Sequence, residues 1–460
     1  MIRARTGLTR LAVALSLVAA GVVPVACAPS GCDRTLEVIG NWTGTEATDF
    51  GKVLDGFHQA TGCTALYHGS QSLDQELQAD VQQGDPPDLA MLSSPGELQF
   101  YADQGDLRGF PLDDNEIAAY PSQWRVLEEQ LRPRDSDPTL QYAIVFKADL
   151  KSAVWYDPEA MRALGPRWTG PPTSWAGLTA LSSAIGAAGK TPWCLGMEAT
   201  PNSGWPGTDW IEDILLHQSG VSAYQDWANG RLSWLSAPVQ NAWNAWGALL
   251  SAQHTIPDDP AADAAQDPLL TNFAAAGTPM FGSPPGCYLD HKASFVMSSY
   301  QSVALPGGGN PQPAADYAFF PFPSFGGADT AGEEVSADIG TVFRSSQPAD
   351  QLIAYLASTD AQRIWPGIGS AFSVDSEVAL SDYADPEKRQ VATMLTRTTD
   401  ALCFDASDLM PPAMSTAFTQ AVLRYLIDPG SLPDLLAGLD QVRAQAYGAN
   451  TRTYTCGGSG

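Results

Sequence analysis

The chain has 460 residues, room for two or three domains that each bury a core. Its 51 acidic and 24 basic residues leave a formal charge of −27, a field that repels nucleic acid and anionic lipid but not a neutral ligand. Thirteen Trp residues are the other excess, and they point to aromatic packing or stacking surfaces.

The first 28 residues have the pattern of an export leader. Arg3, Arg5 and Arg10 form a basic region, residues 11–25 are small and apolar, and Ala26-Cys27-Ala28 follows. The apolar run is shorter than the roughly 20 residues of a membrane span. Cys27 stands where an exported lipoprotein carries its lipidated cysteine, and Ala28-Pro29-Ser30-Gly31 behind it would serve as a tether to the membrane. Pro24 departs from the usual leucine of that pattern, so cleavage after Ala28 is the alternative. No later run is apolar for long enough to span a bilayer, and a soluble body is expected.

Either route leaves six cysteines: Cys32, Cys63, Cys194, Cys287, Cys403 and Cys456. An even number in an exported chain predicts three disulfides, with all fifteen pairings formally open. The spacing predicts a strand over 35–39, a helix over 49–60 and a strand over 63–68. In a right-handed strand-helix-strand unit both strands start at one sheet edge, which sets Cys32 beside Cys63. A helix over 72–83, a strand over 87–92 and a short helix over 95–103 continue the alternation. The fold class is therefore α/β, a parallel sheet covered by helices.

Residues 141–147 are rich in β-formers and lead through 151–158 into a helix over 159–164. Thr173 or Ser174 is the natural cap of the next helix. Helical periodicity recurs at 209–219, 237–253 and 348–358, between turn-rich stretches at 201–207, 279–286, 305–313 and 325–332. Trp243 and Trp246 share a helix face with Leu249 and Leu250 and belong to a core. The terminal 457–460 stretch, Gly-Gly-Ser-Gly, is expected to lack structure.

The search for catalytic motifs is negative. There is no G-x-S-x-G, no H-E-x-x-H and no phosphate-binding glycine loop, and the five histidines lack metal-ligand spacing, so no metal and no cofactor are expected. What the chain offers instead is aromatic residues near carboxylates in apparent loops. Trp42 and Glu46 are one such pair, Trp205 and Trp210 with Asp209 another, Tyr288 and Asp290 with His291 and Lys292 a third, and Ser336-Ala337-Asp338 a further stretch. A sugar ring stacks its C–H face on an aromatic plane and offers hydroxyls to carboxylates, amides or ammonium groups. Each residue also has a plainer reading: Trp42 as core, Glu46 as a helix-start charge, Asp209 as a cap, His291 as a satisfied polar group.

Several motifs in order resemble those of family-1 extracellular solute-binding proteins, the ligand-capturing components of ABC sugar importers. They are the Gly40-Asn41-Trp42-Thr43-Gly44-Thr45-Glu46 loop after strand one, Gly84-Asp85-Pro86-Pro87-Asp88-Leu89, and Lys151-Ser152-Ala153-Val154-Trp155-Tyr156-Asp157. Pro172-Thr173-Ser174-Trp175-Ala176-Gly177-Leu178 and the helix Leu356 through Trp365 complete the set, with Gly177 replacing the usual acid. The stretches around 192–213 and 287–295 are most similar to the α-glucoside-binding branch. That branch implies a Cys194–Cys287 bridge, which leaves Cys403 with Cys456.

The resemblance implies a periplasmic-binding-protein-like fold, two α/β lobes with a hinge and a ligand cleft between them. Lobe one would be 33–147 plus 335–369 and lobe two 148–334 plus 370–460, with crossings near 144–150, 324–335 and 367–373. It further implies a monomer without catalysis that binds an oligosaccharide and meets the permease subunits of an ABC importer at the membrane, where it would be anchored. Trp42, Trp205, Trp210 and Phe372 are the expected stacking surfaces. Glu46, Asp88, Asp209, Asp338 and Lys151 are expected to bond hydroxyls, joined by Gln71, Tyr156 and His291. The rival readings are a secreted glycoside-active enzyme and a binding protein for a polyamine, peptide or metal.

Overall fold

The computed structural model describes residue 32 and residues 34–251, 267–326, 332–369, 371–397, 401–448 and 453–458. The leader, Cys27, position 370 and residues 459–460 lie outside the described residues, as does the 327–331 part of one expected crossing. Among the described residues no helix is long and apolar enough to cross a membrane.

Apolar spacing builds the first unit. Strand β1 (Leu36–Gly40) buries Leu36, Val38 and Ile39. Helix α1 (Gly44–Thr61) buries Phe50, Val53, Leu54 and Phe57, the i, i+3, i+4, i+7 face of an amphipathic helix. It ends at Gly62, whose φ of 78° lets the chain reverse while its N–H bonds the His58 carbonyl. Strand β2 (Ala65–Gly69), helix α2 (Leu73–Gln83), strand β3 (Leu89–Leu92) and helix α3 (Pro95–Gln104) follow as expected. Both β2 and β3 pair with β1 in parallel. One boundary differs: α1 begins at Gly44 rather than 49, so Glu46 lies in its first turn.

The remaining strands are β4 (Ile144–Leu150), β5 (Ala153–Tyr156), β6 (Leu289–His291), β7 (Ala318–Pro321), β8 (Gly332–Val342) and β9 (Ala401–Phe404). The first sheet has the order β2-β1-β3-β8-β4, with β9 joined to β8; the second is β6-β5-β7. The segment around Asp338, expected as a loop, is the middle of β8. Its polar residues hid a strand that pairs with β4 on one side and β3 on the other. β8 runs antiparallel to β3 and β4 and, at its other end, parallel to β9. β4 and β8 lie side by side from Ile144↔Gly340 to Leu150↔Val335, with a bulge between Val145 and Lys147. On the other side of β4, the Ala148 N–H donates to the Phe372 carbonyl at 2.9 Å.

One apolar core lies between α1, one face of the first sheet and the helix Gln347–Ala357. A second, larger core runs from the other face of that sheet to the second sheet and the C-terminal helices Pro412–Ile427 and Leu432–Ala446. Trp243 and Trp246 are buried in it, as their helical spacing predicts. Ser174 is the cap of the helix Trp175–Gly186, its Oγ accepting from the Gly177 N–H. The disulfides are Cys32–Cys63, Cys194–Cys287 and Cys403–Cys456, with Cα separations of 5.1, 5.3 and 4.3 Å.

Glu128, on the helix Ser122–Gln130, accepts the Val145 N–H of β4 at 2.8 Å. Burial pushes its carboxyl up to about 8, against the lowering effect of that hydrogen bond. The folded chain thus holds this proton to higher pH than the unfolded chain does. Its contribution is full below the ordinary glutamate range and is lost as pH climbs toward 8. Glu128→Gln, neutral throughout, is expected to melt above the parent at pH 9 and alongside it near pH 4; thermal unfolding at the two pH values checks this.

Candidate functional site

A cavity of about 790 Å³ opens where β1 and β3 end, bounded by residues 41–46 and 93–94 on that side. This is where α/β sheets hold ligands, and the volume suits a small molecule. β4 and β8 cross its floor. Because strand side chains alternate, Lys147, Asp149 and Lys151 of the β4 segment project to one face, and all three line the cavity.

Lys147 organises the first-sheet side. Its Nζ lies 3.0 Å from Glu46 Oε1, 3.2 Å from Asp149 Oδ2 and 3.6 Å from Asp338 Oδ2. Burial works against its charge, yet Asp149, Glu46 and Asp338 together hold its pKa well above the ordinary lysine value. Burial raises Asp149 to about 6 and raises Asp338 as well, each against the pull of Lys147. The Trp42 Nε1–H donates to Asp338 Oδ2 at 2.9 Å, and Ser294 Oγ donates to Asp149 at 2.8 Å. Each carboxylate offers about four acceptor positions, so lone pairs remain for a ligand.

The loop that carries Trp42 depends on glycine. A Cβ at Gly69 would stand 1.9 Å from the Trp42 carbonyl oxygen, so only glycine lets the loop fold back over the end of β2. There the Trp42 N–H donates to Tyr67 Oη at 2.9 Å. The Trp42 ring is packed by Phe50, Tyr67, Phe146 and Trp365 at 4.7–6.0 Å between centroids and is only 2% exposed. It is a cavity wall and an N–H donor to Asp338 rather than an open stacking face.

The more accessible rings of the cavity adjoin the two lysines. Trp205, Phe273 and Phe295 form a wall with centroid separations of 5.0, 6.0 and 6.3 Å. Lys151 Nζ sits 5.2 Å above the Trp205 ring, and it bonds Asp209 Oδ1 at 3.0 Å and Asp405 Oδ2 at 2.6 Å. The cavity therefore sets aromatic faces directly beside carboxylates and ammonium groups, with Lys147 Nζ 5.9 Å from the Phe295 ring centroid and Lys151 Nζ over Trp205.

Of the residues expected at the site, Trp42, Glu46, Gln71, Lys151, Trp205 and Asp338 line the cavity. Gln71 uses its Nε2 to hold the Asn41 carbonyl at 2.9 Å. Six others are corrected. Asp88 lies at the opposite end of the strands, fully buried, forked to Arg34 and accepting the Glu37 N–H. Asp209 is buried behind Lys151, one turn inside the helix Trp205–Ala228 rather than at its cap. Trp210 packs between Trp193 and His291 at 4.7 and 4.3 Å. His291 is buried with its Nε2 2.7 Å from Asp213 Oδ2. Tyr156 packs on Trp168 and Phe320, and Phe372 is core, stacked on Tyr383.

Lys147, Asp149, Phe273, Phe295 and Asp405 were not anticipated. The alternation Lys147-x-Asp149-x-Lys151 was readable as one strand face. Phe273 and Asp405 carry no local signal, because only the fold brings those loops to the cavity.

A model of the family described as bacterial extracellular solute-binding protein matches residues 49–363. The chain is similar to the alpha-glucosides-binding periplasmic protein AglE of Rhizobium meliloti (strain 1021), 29% identical over 89% of this chain and 86% of the relative. It is 30% identical to the osmoprotective compounds-binding protein GgtB of Synechocystis sp. (strain ATCC 27184 / PCC 6803 / Kazusa), over 85% of this chain and 89% of that one. Among solved structures, a chitin oligosaccharide binding protein shares the fold with a TM-score of 0.71 at 16% identity, covering 90% of this chain and 99% of the other.

Removing Lys147 leaves Glu46, Asp149 and Asp338 without their shared cation. Lys147→Met is expected to cost about 3–5 kcal/mol of stability, as for a buried pair that loses one partner. Adding Asp149→Asn to it should restore part of the loss, because the two effects are coupled. Denaturant unfolding of the two single variants and the double variant measures both terms.

Proposed function

The chain belongs to the bacterial extracellular solute-binding protein family, and from that premise we propose that it captures a neutral oligosaccharide, in the first instance an α-glucoside, and delivers it to an ABC permease. The observation that carries this reading is that the Trp205–Phe273–Phe295 wall lines the same cavity as, and adjoins, the carboxylates neutralised by Lys147. Aromatic faces take sugar C–H surfaces. Charge-assisted acceptors take hydroxyls without leaving a buried charge unpaired.

In this reading the protein is a monomer without catalysis, exported and anchored through Cys27. Lobe one is 33–147 plus 335–369, and lobe two is 148–334 plus 370–460. β4, β8 and the segment at Phe372 are the crossings about which the lobes close. Closure is favoured because a ligand touching both walls binds the closed state better than the open one, and the permease reads that state. The carboxylates nearest one another at the cavity, Glu46, Asp149 and Asp338, all serve one ammonium, which suits ligand acceptance rather than a paired acid and nucleophile.

One observation favours a second reading. Asp74 and Glu97 line the same cavity, and burial together with Asp74 pushes Glu97 up to about 8, with no cation among the causes. A polyamine would displace the proton that Glu97 holds near neutral pH and so gain a pair of counter-charges.

Calorimetric titration against di- and trisaccharides, amines and peptides separates these readings. Saturable binding of an α-linked disaccharide or trisaccharide is the expected result. No saccharide binding at about 1 mM, a free energy of roughly −4 kcal/mol, would sink it, and saturation by an amine alone would favour the second reading. Trp205→Ala is expected to weaken saccharide affinity by about 10-fold or more, about 1.4 kcal/mol, and Phe372→Leu to leave it near the parent's. Intrinsic Trp fluorescence follows both.

A further inference from the structure

Around Lys151, bordering the cavity at Asp405, lies a second group of acids that a sugar site does not require. Asp209 of the helix Trp205–Ala228, Glu334 of β8 and Asp405 just after β9 each bring a carboxylate oxygen within 4.8 Å of the others. All three are buried, at 2%, 0% and 1% exposure. Asp405 and Lys151 line the cavity, whereas Asp209 and Glu334 do not.

The hydrogen bonds of this group do not close. Lys151 serves one oxygen of Asp209 and one of Asp405, and the other Asp405 oxygen accepts from Ser407 Oγ at 2.8 Å and the Asp408 N–H at 3.0 Å. Glu334 is held by its backbone: its N–H donates to Ser152 Oγ at 2.7 Å and its carbonyl accepts the Lys151 N–H at 2.8 Å. Neither oxygen of its carboxylate has a hydrogen-bond partner. Glu212, one turn beyond Asp209, gives one oxygen to the Ala406 N–H at 2.6 Å, and its Oε1 has no partner. Adjacent Asp213 is already taken by Ser152 and His291. Four buried carboxylates thus share one ammonium, and three of their oxygens have no donor. Burying such groups is costly unless a cation or donors reach them.

We infer that Asp209, Glu334 and Asp405 hold a hard, oxygen-seeking metal cation on the side of the cluster away from the cavity, with calcium the best fit. The donors are oxygen only. Oxygens up to 4.8 Å apart fit around one ion at the 2.3–2.6 Å typical of calcium. The histidines, whose spacing excluded a metal in the sequence, play no part. Such an ion would fasten the helix, β8 and the turn after β9 at one point and fix the acids that position Lys151 beside Trp205. It requires no assumption about the cavity's ligand.

The test uses the full exported chain, stripped with EDTA and dialysed against calcium. Expected are one equivalent of retained calcium by elemental analysis and a melting temperature raised by several degrees over the EDTA-treated protein. Glu334→Gln keeps the shape of the side chain and removes the charge, and it should abolish both. If the parent retains no stoichiometric calcium and melts at the same temperature in calcium and in EDTA, the inference is overturned, and protons rather than a metal satisfy the cluster. The parent's metal content decides the matter even if the variant fails to fold.

Discussion

A single buried ammonium sets the terms for the rest of the cavity. Lys147 is placed at the bulge of β4, opposite Asp338 of β8, and draws Glu46, Asp149 and Asp338 to one point. These acids come from three separate parts of the chain. Without the lysine, three carboxylates on the floor of a partly enclosed cavity would repel one another and shed their charge. With it, they keep fixed orientations, and Asp338 in turn holds the indole of Trp42. The aromatic cluster beneath Trp42 depends on this placement, as does the first turn of α1, which carries Glu46.

The floor strands also link the two sides of the molecule. β4 and β8 are neighbours in the first sheet, the start of β8 pairs with β9, and β4 leads directly into β5 of the second sheet. Lys147 and Lys151 lie four residues apart on the same strand face, one bonded to acids near the first sheet and the other to acids near the helix Trp205–Ala228. A rotation about β4 would therefore move two charge clusters relative to each other.

Much of the architecture was legible from local pattern. The alternation of strands and helices from 35 to 103 gave a parallel sheet because apolar periodicity switches between two and 3.6 residues there. Cys32 and Cys63 met because strand starts in such a unit share an edge. The family motifs carried the other two bridges and the two-lobe fold. The site was less legible. Glu46 is both a helix-start residue and a cavity residue, so the two readings of it were never alternatives. Asp88, Trp210 and Phe372 looked like ligand groups by type, but each had a partner distant in sequence: Arg34, Trp193 and Tyr383.

By itself the sequence determined the class, the alternating strands and helices from 35 to 103, the cysteine count and the presence of aromatic and acidic residues suited to a polar ligand. These follow from short-range regularities that persist wherever the chain goes. Only the tertiary structure decided which acids face the cavity and which are spent on core ion pairs. That choice depends on burial and on the nearest opposite charge, and both are fixed by contacts between residues far apart in the chain, such as Trp42 and Asp338, 296 positions apart. The same is true of Glu334, an ordinary acid in sequence, which the fold leaves buried and without a hydrogen-bond donor.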